Sequence, residues 1–401
     1  MYICSMQTLR KKYLRLLTAT LESPKRFLFE QIDWNEKLII IKGQRGTGKT
    51  TLLLQHIKQH HTNLEETLYI SMDDIYFAAH NLSDFVEEFV IDGGRYLYID
   101  EIHRYKNWSV ELKNIYDFYP DLKLIITGSS ALSFYISSAD LGRRAALYTL
   151  PELSFREYLN FTLNTDFPSY SLNEIIKNSE AISMSINKEI RSLKEFRDYL
   201  KIGAYPFILN GKDRYYDKLE ASINTVIDND IPAIENISYD SRVKLRKLLY
   251  MMSTTLPFKI NMSELSRKLE TTRDMLSKYL ELLNKAGIIK FLTTEGIGYT
   301  LIRKPNKIYF SNSNLIHALT ANAEIGTLRE TFFLSQLSVS HMVNYPKQGD
   351  FMIDNKYTFE IGGKNKDRKQ IQNLKNAYLA LDDIEYGHGT RIPLWLFGFL
   401  Y

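Results

Sequence analysis

Apolar residues fall in two rhythms along this chain. Short unbroken runs are rich in β-branched and aromatic residues and predict buried strands: Leu38-Ile39-Ile40-Ile41, Thr67-Leu68-Tyr69-Ile70-Ser71, Tyr96-Leu97-Tyr98-Ile99, Lys123-Leu124-Ile125-Ile126 and Ala146-Leu147-Tyr148-Thr149-Leu150. Between them the rhythm becomes helical. Thr51 through Lys58 contains no breaker, and Leu82, Phe85, Val86 and Phe89 recur at three- and four-residue spacing. Leu9, Tyr13, Leu16 and Leu17 carry the same spacing, which predicts a helix within residues 6–30 packed on the sheet. Alternating strands and helices predict an α/β fold built on a parallel sheet.

Beyond residue 160 the texture changes. Residues 161–235 read as mostly helical, with polar stretches at 162–180 and 210–214 and an interruption at Gly203-Ala204-Tyr205-Pro206. Met262 through Leu269 predicts a short helix with Ser263 as its cap. Thr272 through Lys285 predicts a second helix with Met275, Tyr279, Leu282 and Leu283 on its apolar side, ended by Gly287. Ile288 through Leu292 and Tyr299 through Ile302 then suggest a hairpin. Two helices, a tight turn and a hairpin make a winged helix-turn-helix. Its second helix would present Thr272, Arg273, Ser277 and Lys278 outward, where a DNA binder meets bases and phosphates. Winged helices also dock proteins, and Glu270, Asp274 and Glu281 dilute the positive face. Arg329 through Leu334 begins a further helix, Gly349–Ile353 and Tyr357–Ile361 read as paired strands, and a basic helix with Lys366, Arg368, Lys369 and Gln372 is expected after them. The expected boundaries are 1–160 for a nucleotide-binding sheet domain, 161–238 for a helical lid or linker, 239–310 for the winged helix and 311–401 for a small α+β domain.

Composition narrows the class without naming the chemistry. The 401 residues are 44% hydrophobic and 24% charged, as in a soluble globular protein, and the net charge of +4 permits nucleic-acid contact without arguing for it. Cys4 is the single cysteine, which excludes an intramolecular disulfide framework and fits a reducing cytoplasm. No apolar run approaches the ~20 residues of a membrane span, and the basic residues at 10–12 are not followed by the apolar core of a secretory signal. A cytoplasmic protein is expected.

The candidate chemistry sits between the first strand and the first helix. Gly43-Gln44-Arg45-Gly46-Thr47-Gly48-Lys49-Thr50, followed by Thr51, fits G-x-x-x-x-G-K-[ST], and the strand–loop–helix context is the one that phosphate binding requires. The glycines let backbone N–H groups curl around phosphate oxygens at a helix N-terminus. Lys49 would reach the β- and γ-phosphates of ATP, and Thr50 would hold Mg²⁺. The third run ends in Asp100-Glu101, an acidic pair suited to help hold Mg²⁺ (Asp100) and to polarise the attacking water (Glu101). The fourth ends in small hydroxyl residues, of which Thr127 or Ser129 would sense the γ-phosphate. Arg143 or Arg144 would stabilise developing charge, in its own subunit or in a neighbour of a homo-oligomer. Asp350 and Glu360, on adjacent strands, could hold a second divalent metal; the reading taken is of a nuclease-like fold without catalysis.

These residues together resemble a family: bacterial and archaeal P-loop ATPases of the extended AAA type whose C-terminal half is a domain of unknown function. The resemblance rests on residues 43–50, on Tyr98-Ile99-Asp100-Glu101-Ile102 with Trp108 and Tyr116-Asp117, and on Ile126-Thr127-Gly128-Ser129-Ser130. Gly142-Arg143, Leu150 through Glu157, Gly203 through Pro206, Gly349-Asp350-Phe351 and Phe359-Glu360 extend it over nearly the whole chain. It implies an ATPase core binding ATP and ADP, a helical and winged-helix middle, and a restriction-endonuclease-like end. It also favours Arg143 over Arg144 as the phosphate-facing arginine. Gly362 stands where related nuclease folds carry a lysine. The expected function is a Mg²⁺-dependent ATPase whose nucleotide state is coupled to C-terminal domains that bind a partner, with DNA as a candidate. The alternatives are a non-hydrolysing switch or protein-binding scaffold, and a DNA nuclease gated by ATP.

Overall fold

The computed structural model describes residues 6–129, 141–255, 261–294 and 305–401. The chain divides into two compact units, Met1–Pro151 with Asp228–Asn236, and Glu152–Ile227 with Ile237–Tyr401.

The first unit is a five-stranded parallel sheet with helices. In chain order its elements are α1 (Met6–Ala19), β1 (Leu38–Lys42), α2 (Lys49–His60), β2 (Thr67–Ser71), α3 (Leu82–Ile91), β3 (Tyr96–Asp100), α4 (Trp108–Phe118), β4 (Lys123–Gly128) and β5 (Ala146–Thr149). The spatial order is β2-β3-β4-β1-β5, so β4 lies between the strand that precedes the glycine loop and the strand that ends in Asp100. Register brings the carboxyl ends together: Lys42 pairs with both Gly128 and Thr149, and Ser71 pairs with Asp100. Leu38 through Ile41 are fully buried, as a central strand covered on both faces requires. At the edge, β5 alternates half-buried and exposed residues.

Helix α1 is shorter than its pattern suggests. Leu9, Tyr13 and Leu17 are buried, but Leu16 is exposed and the helix ends at Ala19. Pro24 excludes helical geometry at the residue before it and removes a donor, so the chain continues as loop to a short 3-10 turn at Phe27–Glu30.

The second unit begins with helices α5 (Phe155–Leu163), α6 (Leu172–Asn187), α7 (Ser192–Ile202) and α8 (Tyr215–Thr225). The short α9 (Ile231–Ile234) lies in the segment assigned to the first unit. There follow α10 (Tyr239–Thr255), α11 (Met262–Lys268), α12 (Arg273–Lys285), an antiparallel pair β6 (Ile289–Leu292) and β7 (Lys307–Phe310), and helices α13 (Ser313–Leu319) and α14 (Ile325–Leu337). Asn261, not Ser263, caps α11, because its side chain accepts from the N–H of Glu264. The expected strand Tyr299–Ile302 lies outside the described residues; the partner of β6 is β7.

A mixed sheet closes the chain: β8 (Val343–Asn344), β9 (Phe351–Ile353), β10 (Tyr357–Gly362), β11 (Ala377–Leu381) and β12 (Arg391–Pro393), in the order β12-β11-β10-β9-β8. No helix forms at Lys366. Gly362-Gly363 precedes it, and Asp367 accepts from the N–H of Lys369, which commits the segment to turns and leaves Gln372 exposed.

The C-terminal end of α2 carries an unusual polar core. The Tyr98 hydroxyl bridges His56 Nδ1 (2.7 Å) and His61 Nε2 (2.8 Å), while Trp34 stacks on His56 at 3.7 Å. Burial first, then neighbouring charge, depresses His56 to about 3 and His61 to about 4. Both rings are therefore neutral in the fold and protonate near 6.5 only when unfolded. Their contribution is complete above 6.5 and is lost as pH falls from there towards 4 and 3. Stability should drop by about 1.4 kcal/mol per pH unit per histidine at most. Urea midpoints at pH 7.5 and 5.0 measure this, and His56→Phe should roughly halve the difference. An unchanged wild-type midpoint would overturn it.

Candidate functional site

The glycine loop is shaped by close backbone approach. Gly46 and Gly48 have φ of 86° and 95°, a left-handed conformation in which side chains are strained. Gly43 has no room for a side chain, because an added Cβ would lie 2.4 Å from the carbonyl oxygen of Leu150. Buried Arg26 braces the loop from outside, donating to the carbonyls of Thr47 (2.5 Å) and Pro151 (2.8 Å). Thr47 is buried and its hydroxyl donates to the Gln44 carbonyl. Lys49 is buried, with Nζ donating to the carbonyls of Gly43 (2.9 Å) and Gln44 (3.0 Å) at the mouth of the loop. Thr51, one residue after Thr50, faces outward from α2.

Asp100 is the meeting point of this site. Its Oδ2 accepts from Thr50 Oγ1 (2.6 Å) and Tyr69 Oη (2.8 Å); its Oδ1 accepts from Thr127 Oγ1 and from the N–H of Glu101 (3.2 Å). Burial first, then the Asp100 carboxylate, pushes the Tyr69 phenol far above its ordinary value and keeps it a donor. Thr50 and Asp100 therefore stand side by side, a hydroxyl and a carboxylate of the hard-oxygen kind that suits Mg²⁺. Among the described residues, no three His, Cys, Asp or Glu side chains converge as a self-sufficient metal cage.

Glu101 leaves the strand in a left-handed conformation, φ 54° and ψ 41°. Its Oε2 lies 3.4 Å from His103 Nε2 and 4.0 Å from Arg45 Nη1. Ser129 enters through its backbone N–H, which donates to His103 Nδ1 (3.3 Å). Arg143 is exposed on a 3-10 turn, and Arg144 pairs with Asp117 at 3.1 and 3.2 Å. Tyr69, Arg26, His103 and Asp230 escape the sequence reading. The two-residue step from Glu101 to His103 is the one local signal that was there to be found.

In the second unit, Thr272 is the N-cap of α12 and accepts from the N–H of Met275, while Ser277 donates to the Arg273 carbonyl. Arg273 is exposed and Lys278 is half-buried. Asp350 immediately precedes β9 and Glu360 lies on the adjoining β10, but each is answered by a lysine. Lys307 lies 3.6 Å from Asp350 and 2.9 Å from Glu330, which also accepts from Tyr309. Lys366 reaches Glu360 at 2.6 Å. Its stem lies over Gly362, 2.5 Å from where a Cβ would be. Glu360 is buried, which raises its carboxyl; Lys366 opposes that and Asp350 adds to it.

Residues 35–159 match the AAA domain family, and residues 193–325 match a domain of unknown function, DUF8612. The first unit thus carries an AAA-type P-loop domain, a nucleotide-binding fold of ATPases. The chain is 28% identical over 390 residues to an uncharacterized protein of Methanocaldococcus jannaschii, covering 89% of this chain and 82% of that one. An uncharacterized Haemophilus influenzae protein is 24% identical over 294 residues, covering 69% and 67%. Among solved structures, the replication initiator DnaA bound to AMPPCP and single-stranded DNA aligns at 16% identity over 71% of this chain and 88% of that chain, with a TM-score of 0.28. No helix among the described residues is long and apolar enough to cross a membrane.

Because the obstacle at Gly43 is a backbone carbonyl, Gly43→Ala must displace the loop. ATP affinity should fall by about tenfold to a hundredfold with circular dichroism unchanged, as read by titration of a fluorescent ATP analogue; wild-type affinity would refute the packing argument.

Proposed function

We propose that this protein is a Mg²⁺-dependent ATPase whose nucleotide state is coupled to partner binding by its second unit. The observation that carries the reading is the Asp100 hydrogen-bond set, which joins Thr50, Tyr69, Thr127 and the backbone of Glu101 at one carboxylate. Thr50 and, through water, Asp100 would hold Mg²⁺, which supplies neutralising charge to the phosphates. Loop N–H groups and Lys49 bind the β- and γ-phosphates; Lys49 exchanges its two carbonyl partners for phosphate oxygens. Glu101 orients and polarises the attacking water. Thr127, held against Asp100, and Ser129, through His103, are positioned to report the γ-phosphate to Glu101. Arg143, the arginine that the resemblance favours, acts on the nucleotide of a neighbouring subunit.

Elements α11, α12, β6 and β7 have the order and pairing of a winged helix, which supports nucleic acid as the partner class. Arg273 and Lys278 would contact phosphates. The pairing of Asp350 and Glu360 with Lys307 and Lys366 supports a nuclease-like sheet whose carboxylates serve the fold.

Lys49→Ala should abolish ATP hydrolysis, and Glu101→Gln should bind ATP while turning it over at least about a hundredfold more slowly. Phosphate release measured across a series of protein concentrations checks both. Turnover by Lys49→Ala at the wild-type rate would end the ATPase reading, and a rate per subunit independent of concentration would end the trans role of Arg143.

Filter binding to duplex DNA should weaken steeply between 50 and 200 mM salt and fall further in Arg273→Ala/Lys278→Ala. Binding indifferent to salt and to both substitutions would exclude α12 as the contact. The same mixtures, supplied with Mn²⁺, should leave plasmid uncut; cleavage that disappears in Asp350→Ala would show that the C-terminal carboxylates are catalytic.

A further inference from the structure

One buried carboxylate stands against the proposed catalytic glutamate from a distant part of the chain. Asp230 is 2% exposed, and its Oδ1 has no hydrogen-bond partner within ordinary geometry. That oxygen lies 3.5 Å from His103 Nε2, 3.8 Å from Arg104 Nη2 and 4.0 Å from Arg45 Nη1. Two of these donors are the ones that face Glu101, at 3.4 Å from His103 and 4.0 Å from Arg45. The segment that bears Asp230, residues 228–236, belongs to the first unit although the chain on both sides of it belongs to the second.

His103 defines what is being shared. Its Nδ1 accepts from the N–H of Ser129, so that nitrogen carries no hydrogen and the ring proton is assigned to Nε2. A single Nε2–H then points between two carboxylates at nearly equal distance, and Arg45 stands equally far from both. Asp230 and Glu101 compete for the same two donors on even terms. Burial works against the charge of Asp230, but His103, Arg45 and Arg104 outweigh it and hold its carboxyl below the ordinary range.

We propose that Asp230 is a positioning residue for ATP hydrolysis: it draws His103 and Arg45 away from Glu101 and so leaves the Glu101 carboxylate free to polarise water. The proposal rests on the reading of Glu101 as the water-activating group. The charged groups that face Asp230 are Arg45 from the glycine loop and His103 and Arg104 from the turn after Glu101; Arg104 is also held by Asp73, after β2, at 3.3 Å. Removing the negative charge of Asp230 leaves both shared donors to Glu101, which ties up the carboxylate oxygen that would polarise water.

The test is Asp230→Asn in the full-length chain, with ATP affinity and melting temperature measured alongside turnover. We expect kcat to fall about tenfold or more with ATP affinity within twofold of wild type. Adding Arg45→Met to Asp230→Asn should recover part of the lost rate, since one of the two released donors is then gone. An unchanged kcat, or a double variant no faster than the single one, overturns the proposal. If wild type itself does not hydrolyse ATP, the ATPase reading fails instead, and the shared proton is read directly. In ¹⁵N-histidine NMR, with His103→Gln for assignment, the His103 Nε2–H resonance should shift in Asp230→Asn; an unmoved resonance refutes the sharing.

Discussion

A carboxylate buried at the end of a central strand must find donors or lose its charge, and Asp100 finds four. Thr50 comes from the first turn after the glycine loop, Tyr69 from β2, Thr127 from β4 and the last donor from its own chain neighbour, Glu101. An ion taken out of water costs several kcal/mol unless it is hydrogen-bonded, so the four elements are locked to one another by the need to satisfy one group. The strand order serves the same end. With β4 inserted between β1 and β3, Thr127 stands one strand away from Asp100 and one strand away from the root of the glycine loop. The fold itself thus fixes the donors around Asp100.

Where the signal was local, the sequence carried it. Five apolar runs became five strands, and the glycine motif lay between a strand and a helix as its chemistry demands. The errors have physical causes of the same local kind. Leu16 belongs to a helical spacing but falls on the wet side of α1, and Pro24 cuts short a pattern that otherwise runs to residue 30. At Lys366 the charge pattern suggested a helix, yet two glycines and an aspartate that bonds its own backbone chose turns. That choice lets Lys366 fold back over Gly362 and pair with Glu360.

Asp230 was illegible for a different reason. It sits in an unremarkable Asp-Asn-Asp stretch, and its three partners lie 126 to 185 residues upstream. No periodicity or short motif reports a contact of that span; only the topology does. His103 is intermediate, because its place two residues after Glu101 is visible in the sequence while the tautomer that gives it meaning depends on Ser129 from the neighbouring strand. The arginines divide similarly: spacing nominated both Arg143 and Arg144, and only the family resemblance favoured Arg143.

The left-handed backbone at Glu101 has an evolutionary side. A residue with a Cβ held at φ 54° gives up on the order of 1 kcal/mol that glycine, and in part asparagine, would recover. Natural or laboratory selection for thermal robustness alone would therefore find easy gains at the one position proposed to activate water, and each gain would extinguish turnover. If Glu101 activates water as proposed, heat tolerance and turnover pull in opposite directions at this single peptide unit.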